Sequence, residues 1–197
     1  MKQPIYVTRP TLAPLSDVTA LLEQVWESGV MTHNGPLVQR FERECIKHLG
    51  LNRMVAVTNG TIAIQMAIRA LELEGEIITS PFTFVATINA ILWERCTPVF
   101  VDIDPGTANI DPSLIERAIT PRTKAILPVD AFGQPARLDA IREIAARHGL
   151  KVIEDSCESL GSEYKGTRTG NGAFCDGAVF AFYPNKRYVF RSAGGDI

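Results

Sequence analysis

The chain predicts an α/β fold, a three-layer, mostly parallel sheet with helices on both faces. Three observations carry that expectation. Segments of apolar helical periodicity alternate with short apolar runs along the 197 residues, the pattern of a sheet whose parallel strands are joined by helical crossovers. Turn chemistry separates the segments: Asp104-Pro105-Gly106 and Gly133-Gln134-Pro135 punctuate the chain, and Gly149 stops a helix just before the run KVIED. Finally, the residues with chemical potential fall just beyond the apolar runs, where open α/β sheets bind ligands.

Taken in order, helices are expected over about 16–30 and 36–49, where apolar residues recur at helical spacing. Met54 to Asn59 (MVAVTN) reads as a short buried strand near 54–58. It passes through Gly60 and Thr61 into IAIQMAIRALEL, a helix near 60–73 in which Ile64, Ile68 and Leu71 share a face. Strands follow near 76–80 and 98–103, separated by a helix near 84–95. A helix near 111–119, a strand near 124–129 and a helix near 137–149 come next, then strands near 151–155 and 177–183.

Strand, tight turn and helix at Asn59-Gly60-Thr61 bring free backbone N–H groups to one point. Such a helix start suits a phosphate. Gly60 lets the backbone approach an anion with no side chain in the way, and the Thr61 hydroxyl adds a donor. A plain helix cap explains the same residues. The spacing is neither a Walker loop nor G-x-G-x-x-G, so ATP and dinucleotide fingerprints are absent.

The second constellation lies between Lys151 and Lys186, KVIEDSCESLGSEYKGTRTGNGAFCDGAVFAFYPNK. One apolar run closes on Asp155, and the next is followed closely by Lys186. A carboxylate at one strand end and an amine beyond another are what pyridoxal phosphate needs. The lysine makes a Schiff base with the aldehyde, and the aspartate keeps the pyridine nitrogen protonated. Taken singly, Asp155 also reads as a helix cap and Lys186 as a solvated charge.

At this point the residues resemble a known family, the DegT/DnrJ/EryC1/StrS sugar aminotransferases, which are fold-type I pyridoxal phosphate enzymes. The resemblance is carried by WESGVMTHNGPLVQRFE, VTNGTIAIQMAI, EIITSPFTFVATINAI, FGQPARLDAI, HGLKVIEDSCESLG and FAFYPNK, and runs almost end to end. It implies Lys186 as the cofactor-binding and catalytic lysine, and Asp155 as the pyridinium partner. It further implies Gly60 and Thr61 as phosphate ligands, Phe84 as the aromatic on the ring face, and Glu158 near the ring.

The same resemblance implies transfer of an amino group from a donor such as L-glutamate to a nucleotide-linked keto sugar, by a homodimer. Lys186 argues against the dehydratase branch, in which histidine takes that place. Two departures stand out. Ala181 replaces a serine that donates to the phosphate in many relatives, and Arg187 to Arg191 (RYVFR) replaces small or polar residues before a glycine-rich turn. The family also carries a smaller C-terminal domain. This chain ends eleven residues after Lys186, so 1–197 is expected to be an incomplete large domain with the small domain absent.

Composition bounds the alternatives. At 46% hydrophobic, 21% charged and a formal net charge of −2, there is no basic excess for nucleic acid. No apolar run is long enough to span a bilayer, and MKQPIYVTRP lacks signal-peptide architecture, so a cytoplasmic protein is expected. Cys45, Cys96, Cys157 and Cys175 show no CxxC spacing and His33, His48 and His148 are isolated, which argues against a metal site, a disulfide framework or a Ser-His-Asp triad. Two other readings stay open: a catalytically silent family member acting in ligand sensing or partner binding, and a phosphosugar- or nucleotide-binding module without pyridoxal phosphate.

Overall fold

The structure is a computed structural model that describes residues 12–183. The chain first forms helices α1 (Leu15–Ser28), α2 (Pro36–Leu49) and α3 (Gly60–Ala70). It then alternates strand β1 (Glu76–Thr79), helix α4 (Val85–Trp93), strands β2 (Thr97–Phe100) and β3 (Thr123–Leu127), helix α5 (Leu138–His148) and strand β4 (Lys151–Asp155). Two short strands, β5 (Glu163–Tyr164) and β6 (Thr167–Arg168), precede β7 (Gly177–Val179).

The main sheet has the order β2-β1-β3-β4-β7, and every pair in it is parallel. Parallel strands need crossovers, and the crossovers cover both faces. Alternation along each strand sends neighbouring side chains to opposite layers. Ile78, Ile126 and Val152 join Leu138, Ile141 and Ile144 of α5 in one core. Ile77, Ala125, Leu127 and Ile153 join Ile64 and Ile68 of α3 and Ala90 and Ile91 of α4 in the other. The three-layer expectation from the sequence is what the molecule shows. Among the described residues, no helix is long and apolar enough to cross a membrane.

Helix ends follow their residue chemistry. Gly29, Gly50 and Gly149 close α1, α2 and α5 in the left-handed conformation, where glycine has no Cβ penalty. Asn59 caps α3, its side chain accepting from the Ile62 amide at 3.0 Å. By contrast α1 buries none of its residues, and Leu15 and Trp26 are largely exposed.

Three expectations are corrected and one element is added. The helix expected near 111–119 is two 3₁₀ turns, Pro112–Leu114 and Glu116–Ala118, tied by i→i+3 bonds such as Ile115 N–H to Pro112 O. Ile110 and Ile115 are fully buried on either side of Pro112, which fixes a compact connector too short to pay back helix nucleation. No strand forms at 54–58 within the described residues, since a strand exists only through a paired neighbour. The strand expected over 177–183 is paired with β4 only from Gly177 to Val179. Lastly the β5–β6 hairpin was not expected: Lys165 and Gly166 both take positive φ in its turn, but two-residue strands are too short to show a period.

Candidate active site

Topology places the chemistry at the C-terminal ends of β1, β3 and β4. Asp155 is the last residue of β4 and is buried. Its neighbour Ile153 packs toward α3 and α4, and the two-residue period of the strand sends Asp155 the same way. There Thr87 Oγ1 donates to Asp155 Oδ2 at 2.8 Å, and Thr87 Oγ1 is itself 2.7 Å from Thr83 Oγ1. The Cys157 amide donates to Asp155 Oδ1 at 3.3 Å. Asp155 is a buried carboxylate held by a hydroxyl and an amide with no cation paired to it among the described residues, an arrangement that can take a cationic partner.

Thr87 was missed from the sequence. The available signal was a hydroxyl on the apolar face of SPFTFVATINAI: Thr87 is buried in α4 beside Ala90 and Ile91. Thr87→Val keeps the shape and removes the donor, leaving an oxygen of Asp155 short of one bond. We expect the unfolding free energy to fall by roughly 1.5–3 kcal/mol, the worth of a hydrogen bond to a charged group. Urea denaturation measures it, with the less buried Thr83→Val as the milder comparison.

The start of α3 faces the same region. Asn59 occupies the Ile62 amide, which leaves Gly60 and Thr61 as the orphan donors that every helix start carries. A Cβ built on Gly60 would lie 3.2 Å from Cys157 Sγ and 3.7 Å from Ala181 Cβ. The glycine therefore keeps open a close approach between α3, the residues following β4, and Ala181. Phe84 is the residue preceding α4 and is 77% exposed, so its ring face is available to a ligand.

Glu158 has a specific partner. Its Oε2 accepts from the Phe132 amide at 3.1 Å, which ties it to the turn after β3. Lys186, the Arg187–Arg191 segment and the residues after them lie outside the described residues. The structure thus brings Gly60, Thr61, Asp155 and Ala181 around one end of the sheet, with Phe84 at the start of the helix that supplies Thr87.

Below the site lies a second polar group that the sequence did not reveal. Asp130 and Glu154 are both buried, and their carboxyls interact. Asp130 accepts from Ser159 Oγ at 2.5 Å and the Ala136 amide at 2.9 Å, while Glu154 Oε2 accepts from the Gly170 amide at 2.9 Å. Burial pushes the Asp130 carboxyl well above the usual carboxylate range, and the neighbouring Glu154 pushes it further; burial also raises Glu154. The Asp130 amide donates to the Asp155 carbonyl at 3.1 Å, linking this pair to the strand end that carries Asp155.

The residues fit a pyridoxal phosphate site at the positions the structure describes: a helix start that begins on a glycine for the phosphate, a buried carboxylate for the ring nitrogen, and an exposed aromatic at the start of α4. Comparison with known proteins agrees. The model of the DegT/DnrJ/EryC1/StrS aminotransferase family matches residues 16–196. The dTDP-4-amino-4,6-dideoxy-D-glucose transaminase of Escherichia coli is 44% identical over 162 residues, which are 82% of this chain and 44% of that protein. The crystal structure of DesI in the presence of its TDP-sugar product superposes with a TM-score of 0.90 at 36% identity, covering 94% of this chain and 47% of DesI. NtdA from Bacillus subtilis with bound cofactor PMP gives a TM-score of 0.79 at 38% identity, over 86% of this chain and 38% of NtdA. The chain spans about half the length of the curated relatives it matches.

Proposed function

The chain belongs to the DegT/DnrJ/EryC1/StrS aminotransferase family, and on that premise we propose that residues 1–197 form the pyridoxal phosphate-binding large domain of a sugar aminotransferase. The reaction is transfer of an amino group from a donor such as L-glutamate to a nucleotide-linked keto sugar. The observation that carries this reading is Asp155, a buried carboxylate at the end of β4 held by Thr87, on the same side of the sheet as the start of α3. A phosphate-binding module without pyridoxal would use the helix start and leave that carboxylate without a task.

When bound, pyridoxal phosphate supplies an aldehyde that condenses with amines and a protonated ring that accepts an electron pair. The residues of the chain divide the remaining work. Gly60 and Thr61 bind the phosphate through backbone N–H groups, the Thr61 hydroxyl and the positive end of α3. Asp155 holds the proton at the ring nitrogen, since a carboxylate beside a pyridinium favours its charged form. Phe84, exposed at the start of α4, would pack against the cofactor ring and exclude water. Lys186 is the residue that would hold the cofactor's aldehyde, and its amine, when free, would hold and move the proton at the substrate carbon. Ala181 supplies no donor to the phosphate, and the helix start carries that load without it.

The relatives named for dTDP-sugars and the structure with a TDP-sugar product support a nucleotide-linked substrate, and NtdA with PMP, the aminated form of the cofactor, supports pyridoxal phosphate. A homodimer in the cytoplasm is part of the same proposal. The test is borohydride reduction of protein carrying the cofactor, followed by peptide mass mapping. A reduced cofactor mass on Lys186 is expected. The same mass on another lysine, or on none in a folded protein, overturns the assignment.

A further inference from the structure

The turn after β3 is held more firmly than a connector requires. Ala131 N–H donates to Asn109 Oδ1 at 2.8 Å, and Asn109 Nδ2 donates in turn to the carbonyls of Gln134 at 3.0 Å and Pro135 at 3.2 Å. Phe132 N–H goes to Glu158, Ser162 Oγ donates to the Gly133 carbonyl at 2.8 Å, and Ala136 N–H goes to Asp130. Asn109 from one distant stretch, Glu158 and Ser162 from another, and Asp130 at the turn's own start thus fix one short turn. At its tip stands Phe132 in the left-handed region, φ 58° and ψ 20°, which a bulky residue adopts at a cost.

That cost is not offset by burial, because Phe132 is 77% exposed. Its ring instead meets Phe82 edge-on, with centroids 5.6 Å apart. Phe82 follows β1 and Phe132 follows β3, neighbours in the sheet, and the next strand, β4, ends in Asp155. A strained, pre-organised aromatic at the ligand-binding edge of a sheet is a residue positioned for contact.

We propose that Phe132, backed by Phe82, reads the acceptor sugar by packing against the apolar C–H face of its ring. The proposal rests on the aminotransferase reading above. The substrates of that reaction bring three chemistries: the donor's carboxylate, the nucleotide's diphosphate and flat or puckered rings. Carboxylate and diphosphate call for cations or N–H donors, which the two phenyl rings lack. The reacting carbon belongs to the sugar, so the ring nearest Asp155 is the sugar and not the base.

The experiment is calorimetric binding to cofactor-free protein, with dTDP-4-amino-4,6-dideoxy-D-glucose as probe and dTDP alone as reference. Phe132→Gly accepts the same backbone conformation without strain, so the turn survives while the ring is lost. It should weaken probe binding at least tenfold and dTDP binding less than threefold, and Phe132→Tyr should restore the probe. Equal probe affinity in wild type and Phe132→Gly overturns the inference, as does an equal loss for probe and dTDP, which marks a distorted turn. A change in concentration-dependent mass with unchanged probe affinity overturns it too, assigning the ring to contact between copies. Wild-type protein that takes up pyridoxal phosphate but binds no probe is instead a failure of the substrate reading.

Discussion

Asp155→Asn is expected to give a folded protein that still takes up pyridoxal phosphate but carries out amino transfer about ten- to a thousandfold more slowly. The side chains are nearly isosteric, and the Asn oxygen can still accept from Thr87 Oγ1, the bond that holds Asp155 at 2.8 Å. What disappears is the negative charge. An opposite charge in contact moves a pKa by about 1–3 units, so its loss removes one to three decades of protonated pyridine nitrogen at fixed pH. Single-turnover reaction with L-glutamate, followed by the cofactor's absorbance, measures the step directly. A near-normal rate in the folded variant would reduce Asp155 to a cap on the Cys157 amide, which it also accepts at 3.3 Å.

The placement of much of this candidate site was legible because its signals are local. Gly60 and Thr61 were readable from a strand-like run, a turn and a helical period in sequence, and the structure starts α3 at Gly60. Asp155 closes an apolar run, and it ends β4. Thr87 and Phe132 were not legible. Thr87 matters through a bond to a residue 68 positions away, and Phe132 through a left-handed backbone fixed by Asn109, Glu158 and Ser162, none of which is its neighbour in sequence. The 3₁₀ segment between Asp111 and Ile119 escaped for a related reason: apolar spacing reports which face is buried, and Ile115 is buried in either helix type. Segment 54–58 shows the limit of apolar runs as evidence, since pairing depends on a neighbour that the run itself does not specify.

Long-range convergence is clearest at Asp130, just after β3, and Glu154 in the neighbouring strand β4, which meet only after folding. Neither Glu154 Oε1 nor Ser156 Oγ finds a hydrogen-bond partner among the described residues, although both are buried. Two carboxylates cannot bond to each other, but a carboxylic acid and a carboxylate can. One proton shared by Asp130 and Glu154 satisfies the stranded oxygen and removes a like-charge contact in a buried place. Hydrogen bonds from Ser159 and the Ala136 amide to Asp130, and from the Gly170 amide to Glu154, oppose the upward shift of the two carboxyls without reversing it. Among the described residues no lysine, arginine or histidine pairs with either carboxyl, and the Cys175 thiol beside Glu154 is itself pushed up to about 12 by burial.

The consequence for stability has a definite sign. Both carboxyls are raised in the folded state, so the stabilisation they give is complete below the unfolded value of about 4. It is lost as pH rises toward the folded values, over which range the native protein holds a proton that the unfolded chain has released. Each such proton costs about 1.4 kcal/mol of stability per pH unit. In Glu154→Gln the amide oxygen can accept from the Gly170 amide as Glu154 Oε2 does now, while its N–H₂ donates to Asp130 at every pH. The variant should therefore lose the pH slope of one proton and become more stable than wild type toward the alkaline end, with the two curves converging or crossing near pH 5. Urea denaturation across about pH 5–9 draws both curves. Parallel curves would mean that the pair holds no proton in the folded protein, and that the stranded oxygen of Glu154 is satisfied by water instead.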